Sequence, residues 1–131
     1  MLSFDTGIPR LDARDDFRRA RRARGLRRRR GHLRTLDGAG APRAPFRLMV
    51  IPVAEIVGTL EPTIGFDPDF RPTSEQVRAR WERVALARRR GISLPPIKVV
   101  KRLDGYYVVD GRHRVSVAKA HGDRDIDAWV A

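Results

Sequence analysis

The feature that most constrains this chain is a pair of β-rich runs, Ile97-Lys98-Val99-Val100-Lys101 and Tyr106-Tyr107-Val108-Val109, with Asp104-Gly105 between them. An Asp-Gly pair favours the tight turn whose twist matches two flanking antiparallel strands, so the stretch reads as a β-hairpin. Successive strand residues face opposite ways. One of Tyr106 and Tyr107 is therefore expected in the core, and the other on the hairpin surface or stacked on a base. Beyond the second strand, Asp110-Gly111 turns the chain into a helical stretch from Arg112 to His121, with Val115 and Ala118 facing in and Gly122 as its stop. Ile126-Asp127-Ala128-Trp129-Val130 alternates as a last strand, and both Trp81 and Trp129 are assigned to the core.

Upstream of the hairpin, Leu48 to Val53 is a short β-type run broken by Pro52, and Ala54 to Gly58 reads as a single helical turn. Glu61 to Pro72 contains three prolines and one glycine, which makes it a loop, with Phe66 and Phe70 as anchors. Thr73 then opens a helix, with Gln76 completing a capping box and Gly91 as the left-handed stop. Val77, Trp81, Val84, Ala85 and Arg88 share its inner face, whereas Arg78, Arg80, Glu82, Arg83 and Arg89 lie mostly on the outer one. Residues 47–131 thus read as a small α+β domain: a mixed sheet with a hairpin and two main helices.

Residues 1–46 have a different texture. They hold 13 basic and 5 acidic residues, against 15 and 11 in residues 47–131, so a third of the chain carries most of its net charge of +12. From Leu11 to Arg30 the segment reads as one or two Arg-coated helices with a thin apolar set, Leu11, Phe17, Ala20 and Leu26. The Gly- and Pro-containing run from Asp37 to Pro42 is linker chemistry. Such a segment buries too little to fold alone. It is read as a basic, partly helical arm and linker, mobile or loosely docked, with a helix packed on the domain or a partner as the alternative, and a chain starting at Arg47 is expected to fold on its own. The cluster Arg27, Arg28, Arg29 and Arg30 is the expected contact to DNA, sequence-tolerant because it would grip phosphates.

With no Cys, disulfides, thiolate metal sites and Cys nucleophiles are excluded, and a reducing, cytoplasmic setting fits. Three scattered His without Cys make no zinc site, and His32 and His121 read as surface residues. The longest apolar run, Leu48 to Ala54, is far short of the roughly 18 residues of a membrane span, so no membrane partner is expected.

Asp110-Gly111-Arg112-His113-Arg114 carries the candidate chemistry. A helix start presents unpaired N–H groups and the positive end of the dipole, which together attract anions. Gly111 would let a phosphate approach the backbone, and Arg112, His113 and Arg114 add cationic groups. The bland reading is a solvated charged helix start, with Asp110 as cap or Arg partner. His113 is either a general acid or base, or a neutral donor to phosphate.

The order Ile51-Pro52-Val53, Leu94-Pro95-Pro96-Ile97-Lys98-Val99, Tyr107 to Ala118 and Ile126-Asp127-Ala128 resembles the ParB N-terminal domain of the ParB/sulfiredoxin superfamily. That resemblance implies a pocket for nucleotide phosphates at Gly111 to Arg114, lined also by the loop Leu94 to Ile97. Gly111 and Arg114 match the ends of the ParB pattern Gly-Glu-Arg-Arg, while Arg112 and His113 replace its middle residues. Gly111, His113 and Arg114 match the sulfiredoxin pattern Gly-Cys-His-Arg, but Arg112 stands where the Cys belongs, which excludes sulfinic acid reduction. Partition ParB proteins continue into a helix-turn-helix domain. If this chain is complete, only the basic arm offers a DNA-binding element. The expected function is a ParB-like DNA-associated protein whose pocket takes a nucleotide, such as a nucleoside triphosphate with Mg²⁺, or a DNA phosphate. The alternatives are a nucleotide-using phosphotransferase, nucleotidase or nuclease of the same superfamily, and a non-catalytic interaction module.

Overall fold

In the computed structural model, residues 9–22, 31–36 and 45–131 are described. They form an α+β fold with a five-stranded mixed sheet and three α-helices. Helix α1 spans Pro9–Arg22, strand β1 Arg47–Pro52 and β2 Ile56–Thr59. Helix α2 is Arg78–Arg89, β3 Ile97–Arg102 and β4 Gly105–Asp110, followed by α3, Arg112–Ala120, and β5, Asp125–Val130.

The sheet grows around the expected hairpin. Strands β3 and β4 pair antiparallel through Arg102 and Gly105, at the turn that Asp104-Gly105 dictates. Strand β5 adds parallel to β3, β1 antiparallel to β5, and β2 parallel to β4, for the order β1-β5-β3-β4-β2. One face of the sheet presents Ile51, Ile97, Val99, Val108, Ala128 and Val130 to the helices, whose Trp81, Ala85, Val115 and Val117 complete the core. Trp81 also donates its indole N–H to the Ser116 hydroxyl at 2.8 Å, which ties α2 to α3 without leaving either group unpaired in the interior. Phe66 and Phe70 are buried, as loop anchors should be.

Several sequence readings change. The single helical turn is a 3₁₀ turn at Val53–Glu55 and does not run on to Gly58, because Ile56–Thr59 extends as β2 along the parallel edge that β4 offers. Helix α2 starts later than Thr73. The Thr73 N–H bonds the Gly65 carbonyl and Ser74 is extended, so a 3₁₀ turn at Glu75–Val77 precedes the helix and no side chain caps it. Trp129 is 37% exposed, because strand alternation turns it away from the helices when Ala128 and Val130 face them. Both tyrosines of β4 are buried. Tyr107 lies beside Gly58 on the second face and donates its hydroxyl to Asp104 at 2.7 Å, so no stacking tyrosine stands on the hairpin.

The largest change concerns residues read as an arm. Helix α1 packs on α2, burying Ala13 and Phe17, and the Phe17 ring meets Trp81 edge to face with centroids 5.6 Å apart. Asp16, also buried, receives Arg89 Nε at 2.6 Å and Arg89 Nη2 at 2.7 Å. Residues 31–36 are fastened too: Leu33 is buried in the core, and Thr35 bridges Thr59 at the outer edge of β2. The boundary expected at Arg47 therefore cuts through one core. The sparse apolar set of α1 misleads because Phe17 and Ala13 suffice once Trp81 supplies the facing surface. The cluster Arg27 to Arg30 lies outside the described residues. No helix among the described residues is long and apolar enough to cross a membrane.

Candidate functional site

Strand β4 ends at Asp110, and Gly111 turns the chain into α3 with φ 114° and ψ 25°. An L side chain rarely adopts that conformation. A Cβ on Gly111 would also lie 2.5 Å from Ile97 Cγ2, on the strand that pairs with β4. The turn is therefore reserved for glycine on two separate grounds. The Gly111 carbonyl accepts the first helical bond, from Val115 N–H at 3.0 Å. No side chain caps the helix. Beside the helix start lies an open notch of about 160 Å³, walled by Arg80 and Val84 of α2 and by Asp110 to Arg114, and a helix start carries unpaired N–H groups.

The three candidate side chains occupy different environments. Arg114, only 15% exposed, is committed inward: Nη1 donates to the carbonyls of Pro95 (2.6 Å) and Pro96 (2.9 Å), and Nη2 lies 3.3 Å from Asp110 Oδ2. It holds the loop before β3 against the start of α3 through Pro95 and Pro96, while Leu94 to Ile97 do not themselves line the notch. His113 sits edge to face on Phe66, centroids 5.2 Å apart. Burial, aided by the charges of Arg80 and Arg112, lowers its pKa to about 4, so at neutral pH it is an uncharged hydrogen-bonding group. That state suits a donor to an anion and does not suit an acid catalyst working near neutrality. Arg112 is partly exposed at the rim. Asp110 serves as the Arg114 partner, not as a cap, and its side chain is 73% exposed.

Sequence reasoning missed Arg80 and Phe66. Arg80 was legible only as an outward position on α2, and its place beside His113 depends on how α2 packs against α3. Phe66 was legible as a loop anchor, but its partner was not. His121, read as a surface residue, is mostly buried, with Nε2 3.5 Å from Asp16 Oδ2, because α1 covers the end of α3. Among the described residues no three His, Cys, Asp or Glu side chains gather as a metal site.

The arrangement brings three arginines, a neutral imidazole and unpaired helix N–H groups to one notch, with Asp110 as the carboxylate at its edge. Like charges at the positive end of a helix oppose the dipole by roughly 0.3–1 kcal/mol each, and an anion in the notch would relieve both.

No family model matches the chain, and no curated protein matches it. Among solved structures it is similar to sulfiredoxin from Arabidopsis thaliana, with 19% sequence identity and a TM-score of 0.46 over 65% of this chain and 84% of that one.

Proposed function

We propose that the notch at the start of α3 binds a phosphate group, and that the protein is a DNA-associated, ParB-like nucleotide- or phosphate-binding protein. The observation that carries this reading is the uncapped helix start after Gly111, beside a notch that Arg80 and Arg112 wall without filling. Backbone N–H groups and Arg112 would hold the phosphate oxygens, and neutral His113 would donate a further hydrogen bond. Arg114 shapes the wall through Pro95 and Pro96. The notch, about 160 Å³, is smaller than a whole nucleotide, so the rest of a nucleotide, or the rest of a DNA strand, would lie outside it. A net charge of +12 supports DNA as the source of that phosphate through Arg27 to Arg30, and Mg²⁺ would accompany a nucleoside triphosphate.

Thermal shift with CTP, ATP, ADP and GTP, with and without Mg²⁺, and with a short duplex DNA separates the sources. A ligand present at about 100 times its Kd raises stability by roughly 2.7 kcal/mol. Arg112→Ala is expected to remove most of the shift while leaving the unliganded melting temperature within a few degrees, since Arg112 holds no structural contact comparable to that of Arg114. No shift with any phosphate compound, or an undiminished shift in Arg112→Ala, would overturn the assignment.

A further inference from the structure

A cavity larger than the notch lies elsewhere on the molecule. It has a volume of about 560 Å³ and lies between α1, the loop that follows Phe66, and the C-terminal half of α3. This is within the range of small-molecule sites. Three elements each send a cationic side chain to its wall: Arg19 from α1, Arg71 from the loop and Lys119 from α3. Two carboxylates also line it. Asp16 pairs with Arg89, which donates to both of its oxygens, and with Arg19, and Asp69 lies within electrostatic reach of Lys119.

One polar atom of these side chains lacks a hydrogen bond: Arg71 Nη1 is buried without one among the described residues, whereas His121 Nε2 lies 3.5 Å from Asp16 Oδ2. Buried unpaired donors of this kind are uncommon and call for a specific cause. The loop that delivers Arg71 is built at a cost. Phe70 takes φ 63°, a left-handed conformation unfavourable for a bulky side chain, and Asp67 Oδ1 secures the turn by accepting the N–H groups of Asp69 (2.8 Å) and Arg71 (2.9 Å). The buried Phe70 ring then lies under Lys119 Nζ, 5.4 Å from its centroid. Lys119 lies in the last turn of α3, where the helix dipole favours a cation, and the carbonyls of Val117, Ala118 and Lys119 accept N–H groups from His121, Asp123 and Gly122.

We infer that this cavity is a second anion site, distinct from the notch, which takes a small phosphate-bearing organic molecule. Its phosphate meets Arg71, its apolar part lies against Ala20, and Lys119 stands on the same wall. Arg71 offers a planar fork to two phosphate oxygens. Burial also lowers the Lys119 pKa, which makes its amine a better nucleophile than an exposed lysine.

Pyridoxal 5′-phosphate tests this on the full chain, which has only three lysines, Lys98, Lys101 and Lys119. The lysine Nζ attacks the aldehyde, water leaves, and borohydride reduces the imine by delivering hydride to carbon while solvent supplies the proton to nitrogen. Mass spectrometry then locates the adduct. Lys119 is expected to react about tenfold faster than Lys98 or Lys101, as anchoring by a charge-assisted hydrogen bond provides. Inorganic phosphate should protect it, pyridoxal without the phosphate should lose the preference, and Arg71→Gln should lose it too. Equal labelling of the three lysines, equal labelling by pyridoxal, or no protection by phosphate would overturn the inference. Arg112→Ala separates the two sites. Retained Lys119 labelling there supports an independent cavity, and its loss would place the anion at the notch and overturn the second site. If Arg71→Gln fails to fold by circular dichroism, the comparisons on the unaltered chain still decide.

Discussion

Phe17→Ala is expected to destabilise the protein by about 3–5 kcal/mol, the usual cost of removing a fully packed phenyl ring. Phe17 is 2% exposed and meets Trp81, itself wholly buried, with Arg78 over its other side at 5.8 Å. The variant loses the transfer energy of the ring and leaves a hole against Trp81 that neither α1 nor α2 can close by itself. A typical domain has only about 5–15 kcal/mol to lose. A chain that starts at Arg47 should therefore lose its cooperative transition, because it gives up Phe17, Ala13 and Leu33 from the core together with the edge that Thr35 supplies to β2. Urea denaturation followed by circular dichroism measures both. A chain from Arg47 that melts like the full chain would show that α1 rests on the domain without supporting it.

Asp16→Asn is the second large effect, on the order of 3 kcal/mol at neutral pH, as for breaking a buried ion pair from one side. Burial by itself would raise the Asp16 pKa. The Arg89 hydrogen bonds, with the charges of His121, Arg89 and Arg19, outweigh burial and hold it below the ordinary carboxylate value. A carboxylate with a depressed folded pKa contributes stability that is complete above its unfolded pKa of about 3.9 and is lost as pH falls through the folded value. The parent should therefore weaken steeply in acid below about pH 4, and Asp16→Asn should show a flatter acid limb from a lower plateau. Denaturation midpoints across that range test the sign. An unchanged plateau at neutral pH would mean that Arg89 finds another partner when Asp16 is neutral.

Both predictions concern residues that the sequence places in a basic arm. The physical reason is instructive. A helix of Arg, Asp and two or three apolar residues has no core of its own, and nothing local reveals a facing surface. Whether Phe17 is solvated or buried depends on Trp81, 64 positions further along the chain. Asp16 likewise reads as one acid among many, and becomes a buried anchor only because α2 presents Arg89 to it.

Local chemistry settled other parts. The hairpin was legible because Asp-Gly restricts the turn and β-branched runs flank it, and the structure pairs Arg102 with Gly105 there. The start of α3 was legible because a strand, a glycine and a helical stretch follow one another without a gap, and Gly111 does take the left-handed conformation that only glycine adopts freely. The inner face of α2, with Trp81 and Ala85, followed from helical spacing. What no local rule could decide was the partner of each side chain. Tertiary packing placed Arg80 beside His113, gave the Arg114 guanidinium to the carbonyls of Pro95 and Pro96, and left Arg71 and Lys119 around a cavity that spans three elements. Periodicity and turn chemistry act over a few residues and so determined the elements. Charge pairing and cavity shape are set between segments far apart in sequence, and only the folded chain decided them.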